Sequence, residues 1–200
     1  MRTWIRGGTH VTFDVLTTAL DALRGVADGA TDRLDQPTPC SDWTVGQVLM
    51  HAAGDQHAWA ATVGTASMPT YNPFDPPQDA EGGVAQAVRS AADVAAETWA
   101  GVDAGADELP TPLPPVPALT PELAAGAAAL DAAVHAWDVA VATGQPSPLT
   151  NPLAAQLRPA AEATADSLRG FAYAPALPEV DGDDEAAALL RYLGRDPAWS

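Results

Sequence analysis

The stretch from Thr120 to Gly144 constrains this chain most, because both limits of a long helix are written into it. Thr120 offers a side-chain oxygen at the N-cap, Pro121 takes the first helical position, and Glu122 suits the positive helix N-terminus. Apolar residues then run to Val141, and Thr143-Gly144 supplies a glycine stop.

Other segments repeat the helical period. Val11, Val15, Ala19, Ala22, Leu23 and Val26 predict a first helix over 11–34, ended by the prolines of Pro37-Thr38-Pro39. Thr44 and Gln47 form a capping box for a second helix that stops near Gly64, with Trp43 placed to staple onto Val48. A third helix is expected over 83–102, and two shorter ones over 151–168 and 184–193. Met68 to Asp79 reads as a loop, and Leu109 to Pro117 as a long extended crossover. No segment of useful length alternates with a period of two. The expectation is an all-α fold with a four-helix core, in one domain over 11–200 behind a loosely structured arm over 1–10.

Charge narrows the partners. With 26 acidic side chains against 9 basic ones and a net charge of −17, the 200-residue chain offers no footprint for nucleic acid or an anionic membrane. The single cysteine, Cys40, excludes a disulfide within the chain or an all-thiolate metal site. There is no apolar core of a signal peptide and no run long enough to cross a bilayer, so a cytoplasmic protein is expected, as monomer or homodimer.

The chemistry concentrates on few residues. Asp131 lies four positions before His135, which puts a carboxylate and an imidazole on one helix face, as two ligands of one metal require. Asp138 shares that face and can orient a ligand imidazole. On the second helix His51 sits among apolar neighbours, with Asp55 one turn on. Three nitrogen and oxygen donors with an open position make a catalytic divalent site. The same spacing also suits an exposed ion pair and a hydrogen-bonded core histidine, and spacing alone leaves these readings open. His10 and His57 read as surface residues. Trp43, Trp59, Trp99 and Trp137 read as core, with Trp137 also a candidate to line a pocket beside His135. Cys40 precedes a helix N-terminus, but packing is its expected role.

Two motifs carry a resemblance. Pro37-Thr38-Pro39-Cys40-Ser41-Asp42-Trp43-Thr44-Val45 with Leu49-Met50-His51, and His135-Ala136-Trp137-Asp138-Val139-Ala140-Val141-Ala142-Thr143-Gly144, are similar to signatures of the DinB-like superfamily. The branch resembled is the N-terminal domain of mycothiol-dependent maleylpyruvate isomerase. The ending Leu189 to Pro197 also resembles its single-domain members. The resemblance implies a DinB-like four-helix bundle with His51, Asp131 and His135 as metal ligands. Asp131 stands where isomerase-like members more often have Glu, and one methylene less leaves room for a bridging water or a shifted metal. The chain ends where the isomerase continues into a second domain, so maleylpyruvate itself is not carried over.

The expected function is a metal-dependent enzyme acting on a small molecule and activating a low-molecular-weight thiol, a mycothiol-type S-transferase or isomerase. Zinc is the expected metal, with nickel or iron as alternatives. Asp55 or Asp138 would orient a ligand or move a proton. The alternatives are a non-catalytic metal-binding or stress-response protein, and a biosynthetic tailoring enzyme on the same scaffold.

Overall fold

The computed structural model describes residues 13–200; the expected arm over 1–10, His10 and the expected start of the first helix at Val11 lie outside the described residues. Six helices follow in order: α1 (Asp14–Gly29), α2 (Val45–Val63), α3 (Val84–Ala100), α4 (Pro121–Thr143), α5 (Asn151–Leu168) and α6 (Glu185–Tyr192). The all-α expectation holds. Two short strands, β1 (Leu109–Pro110) and β2 (Ala118–Leu119), are the only strands among the described residues.

The local signals explain most boundaries. Thr44 and Gln47 make the reciprocal capping box that opens α2. Thr120 accepts from the Leu123 N–H at the start of α4, and Gly144 closes that helix in the left-handed conformation. The first helix, however, ends at Gly29 rather than Leu34. Beyond it the chain is tied to the start of α2, where Gly46 N–H donates to Leu34 O (2.8 Å) and Val45 N–H to Gln36 O (3.0 Å). Leu34 still packs on the core, so the apolar period outlasts the helix that it signals.

α1 packs on α3 and α4, and α2 packs on the same two, so the sequential pairs α1/α2 and α3/α4 face each other across the bundle's diagonals. Linking diagonal helices takes long connections, here residues 30–44 and 101–120. The second is not simply extended. Leu109 pairs with Leu119 and Pro110 with Ala118 in an antiparallel hairpin, whose tip carries Pro112, Leu113 and Pro114. The Leu113 N–H donates to Thr111 Oγ1 (3.1 Å), which braces that tip.

α5 is 18 residues long and packs along α4, so it is a full fifth helix and not a short addition. Flanked by α1, α2 and α5, α4 is buried almost all round. Its C-terminal end is also tied down: Gln145 Nε2 donates to Val26 O near the end of α1 (3.1 Å). No helix among the described residues is long and apolar enough to cross a membrane.

Because Leu157 of α5 is fully buried, Leu157→Ala should cost about 2–5 kcal/mol of stability. Urea unfolding reads this directly; an unchanged midpoint would mean that α5 is a loose appendage.

Candidate functional site

Adjacent helices α2 and α4 bring three side chains to one point. His51 Nε2 lies 3.6 Å from Asp131 Oδ1, and His135 Nε2 lies 3.5 Å from the same oxygen. One donor atom from each of His51, Asp131 and His135 falls within 4.8 Å of the others. The shorter Asp131 side chain therefore reaches both imidazoles without a spacer. Asp55 approaches from α2, its Oδ2 3.7 Å from His51 Nε2.

Both rings are held from behind. His51 Nδ1 is 2.8 Å from Pro73 O, a carbonyl, so that nitrogen carries the proton and donates it. His135 Nδ1 is 2.9 Å from Asp138 Oδ2 and donates to the carboxylate in the same way. A neutral ring so held turns its Nε2 lone pair toward Asp131 Oδ1, the pattern of an imidazole oriented as a metal ligand. Gln56 fixes the far side of the carboxylate: its Nε2 donates to Ala128 O (3.0 Å) and toward Asp131 Oδ2 (3.4 Å).

The separations test whether these residues fit a cation. Charge-assisted hydrogen bonds between imidazolium and carboxylate run at about 2.7–2.9 Å. Neighbouring ligands on a tetrahedral zinc stand roughly 3.3–3.4 Å apart, given metal–ligand bonds of about 2.0–2.1 Å. The 3.5 and 3.6 Å separations lie near the second figure and well outside the first. With neutral imidazoles the cluster also carries uncompensated negative charge from Asp131 and, when ionised, Asp55. The donor set fits a divalent cation.

Asp138 is a different case. It is fully buried, and Arg195 donates to both of its oxygens, from Nε to Oδ1 (2.9 Å) and from Nη2 to Oδ2 (2.9 Å). Gly194 makes this possible. It ends α6 at φ +79°, and a Cβ there would stand 2.8 Å from both Ala174 Cβ and Pro175 O. Burial alone would raise the Asp138 pKa, but the Arg195 charge and the His135 and Arg195 hydrogen bonds hold it well below the usual carboxylate range. Cys40 completes the group, its Sγ 3.3 Å from Asp138 Oδ2 and 3.4 Å from Arg195 Nη2. Burial, then the Asp138 charge, pushes the thiol pKa up and favours the neutral thiol over the thiolate at Cys40. Cys40, His135 and Asp138 also lie close enough to hold an ion, but Arg195 already supplies the cation there.

The remaining titrations follow from crowding. Burial pushes Asp55 up, the neighbouring Asp131 charge adds to this, and its pKa reaches about 7. For His51, burial favours the neutral ring, yet Asp55 and Asp131 outweigh it and raise the pKa to about 9. Asp131 moves down: burial opposes its charge, while His51, His135 and Gln56 stabilise it by more.

Two cavities open on the centre. One, of about 200 Å³, is lined by His51, Asp55, Asp131 and His135 together with loop residues including Phe74, Leu113 and Phe171. The other, of about 520 Å³, lies on the side of Cys40, Ser41, Asp42, Trp43 and Arg195 and also reaches His51 and His135. Trp43 packs on the His51 ring with centroids 4.6 Å apart.

Set against the sequence expectations, His51, Asp55, Asp131, His135 and Asp138 all converge. Trp137 does not: it is buried in the core and lines neither cavity. Two positions along a helix turn a side chain by about 200°, away from the His135 face. Trp43, assigned to the core, packs on the His51 ring at the site; Trp59 and Trp99 are buried as expected, and Trp59 also lines the smaller cavity. His57 is half-buried rather than fully at the surface, burial lowers its pKa, and it lines neither cavity. Arg195 and Gln56 were not singled out. A lone amide on the apolar face of α2 is the signal that marks Gln56, whereas nothing in local spacing links Arg195 to Asp138, 57 positions away.

Comparison with known proteins agrees with this architecture. The family model described as mycothiol maleylpyruvate isomerase N-terminal domain matches residues 13–140. Two uncharacterized proteins of Mycobacterium tuberculosis, from strains CDC 1551 / Oshkosh and ATCC 25618 / H37Rv, are each 35% identical over 141 residues, covering 69% of this chain and 70% of theirs. No solved structure matches the chain.

Removing Arg195 strands a buried carboxylate, so Arg195→Met should cost about 3–5 kcal/mol at neutral pH. Because the folded Asp138 pKa is depressed, its stabilising contribution is present above the free carboxyl value of about 3.9 and is lost as pH falls from there toward the folded value. Urea unfolding across that acid range should show a shallower loss of stability in the variant. Equal slopes would mean that the pair does not govern acid stability.

Proposed function

Because the chain belongs to the mycothiol maleylpyruvate isomerase N-terminal domain family, we propose that it is a metal-dependent enzyme that activates a low-molecular-weight thiol, as a mycothiol-type S-transferase or isomerase. His51, Asp131 and His135 are the ligands of a divalent cation, with zinc suited to two imidazoles and a carboxylate. The observation that carries the reading is the pair of Nε2 atoms standing 3.6 and 3.5 Å from one carboxylate oxygen, each ring held at its other nitrogen. A cation held there would lower the pKa of a thiol entering its remaining position and favour the thiolate.

The chain's own residues supply the rest. Asp55, its Oδ2 3.7 Å from His51 Nε2, is the carboxylate beside the centre that would take the thiol proton. Asp138, itself kept ionised by Arg195, orients His135, and Pro73 O orients His51. Tyr173 lines the smaller cavity, and burial, then the Asp131 charge, keeps its hydroxyl protonated as a donor. The larger cavity, with Ser41, Asp42 and Arg195 on its wall, suits the polar body of a thiol co-substrate.

A second reading has its own support. The elevated His51 pKa, about 9, allows an imidazolium paired with Asp55 and Asp131, a core polar network that needs no metal. A helical core of this size is expected to fold without metal, which favours a functional rather than a structural ion.

Metal analysis of the purified protein beside His51→Ala and His135→Ala separates these readings. Near-stoichiometric metal in the wild type, lost in both variants, is expected. Metal-free wild type after reconstitution would leave only the polar network. On the cobalt-substituted protein, a thiol should produce a thiolate-to-cobalt absorption band. In Asp55→Asn that band should reach its amplitude roughly 100-fold more slowly. Unchanged kinetics would remove Asp55 from the proton transfer.

A further inference from the structure

The smaller cavity has a mouth out of keeping with the rest of the acidic surface. Among the described residues, four large hydrophobic side chains are exposed: Met68 (60%), Phe74 (44%), Phe171 (60%) and Val180 (48%). The first three line this cavity, Phe74 and Phe171 also bordering the larger one, and these two pack together with centroids 4.8 Å apart. Large apolar groups gathered in water around a concavity are surface that a bound molecule would cover.

Its walls have the same character. Ala127 and Val134 of α4, Leu168 of α5 and Trp59 of α2 form the inner side, and Leu113 closes it from the crossover hairpin. Pro69, Pro73, Pro112 and Pro114 complete the rim, residues that are apolar, stiff and without an N–H donor. The rim is also tied to the centre, since Pro73 O holds His51 Nδ1 and the Tyr71 hydroxyl donates to Met50 O (2.5 Å). Gly54 permits this close seating, as a Cβ there would stand 3.0 Å from Pro73 Cγ. The polar groups gather at the floor, at His51, Asp55, Asp131 and His135.

We propose that this cavity binds a compact apolar group of the acceptor substrate, one or two rings in size, and directs the reactive atom attached to it at the His51–Asp131–His135 centre. The proposal rests on the reading of that centre as a reaction site and names the class of molecule it acts on. Size supports it. An apolar cavity of about 150 Å³ in another protein accepts benzene, and this one measures about 200 Å³. The larger cavity shares His51, Phe74, His135, Phe171, Ala172 and Arg195 with it, and the residues that line only the larger cavity, Ser41 among them, serve as an internal control.

The test uses indole as the probe, followed by methyl NMR of the full-length protein with and without zinc. Saturable shifts at Met68, Leu113 and Leu168 are expected. Filling the cavity with Leu113→Trp should weaken indole about ten-fold or more, a loss of at least ~1.4 kcal/mol, while Ser41→Trp in the larger cavity should leave it within about two-fold. Should Leu113→Trp fail to fold, Met68→Ala, at an exposed residue that lines only the smaller of the two cavities, should weaken indole about three-fold or more through lost apolar contact. Shifts centred on Cys40 to Trp43, or binding indifferent to Leu113→Trp and Met68→Ala, would overturn the proposal. So would concentration-dependent self-association abolished by Phe171→Ser, since a second copy would then be what covers the patch. A protein that holds no metal yet binds indole as described would sink the thiol-enzyme reading and leave this site standing. Metal and thiol binding without any indole binding would do the reverse.

Discussion

The burial of α4 is the constraint from which the site follows. Surrounded by α1, α2 and α5, this helix has almost no face on which a charged side chain meets water, yet it carries Asp131, His135 and Asp138 within two turns. Buried charges must be paired or shift their protonation. Asp138 is paired outright by Arg195 and spends its remaining capacity on His135. Asp131 has no such cation among the described residues; it faces two imidazoles and an amide, none with a permanent charge. The difference between these two aspartates, seven positions apart on one helix, separates a structural ion pair from a candidate ligand.

That difference was only half legible in the sequence. The Asp131–His135 and His51–Asp55 spacings state which side chains share a face, because the helical period is local and the caps at Thr44 and Thr120 fix where each helix begins. Convergence of the two faces is a tertiary fact, and spacing left it open until the resemblance supplied the pairing. The same locality explains the failures. Trp137 is near His135 in sequence and behind it in space, while Trp43, ahead of α2, folds onto the His51 ring. Arg195 reaches Asp138 only because Gly194 turns the chain after α6, and that close approach to Ala174 and Pro175 leaves no local trace beyond the glycine itself. The first helix was overextended because Leu34 remains in the core after the helix has stopped.

The long connections owe their length to the diagonal order of the bundle, and the site makes use of them. A bundle whose sequential helices were neighbours would need only short turns. Here residues 64–83, the hairpin tip at 111–117 and the turn at 169–173 rise around the junction of α2 and α4. Prolines give these segments shape without buried donors, and Thr111 and Tyr71 tie them down by side-chain hydrogen bonds. The bundle thus supplies fixed ligating groups, and the loops supply the walls that distinguish an apolar cavity from a polar one.

The centre's geometry bears on which of its two chemical states the fold is built for. An imidazolium network would be tightest with each N–H donating along a short line to a carboxylate oxygen, and His135 does this at Nδ1, 2.9 Å from Asp138. The Nε2 atoms do not follow suit: both stand back from Asp131 Oδ1 by 3.5 and 3.6 Å, although both rings have their other nitrogen already satisfied. With both rings neutral, two lone pairs and a carboxylate at that spacing would repel one another in a buried site, a cost that a bound cation would reverse. Burial acts oppositely on the two neighbours, lowering the His51 pKa and raising that of Asp55, but nearby carboxylate charge raises both, and a divalent ion would neutralise that charge. The arrangement is therefore better suited to holding a cation than to closing on itself.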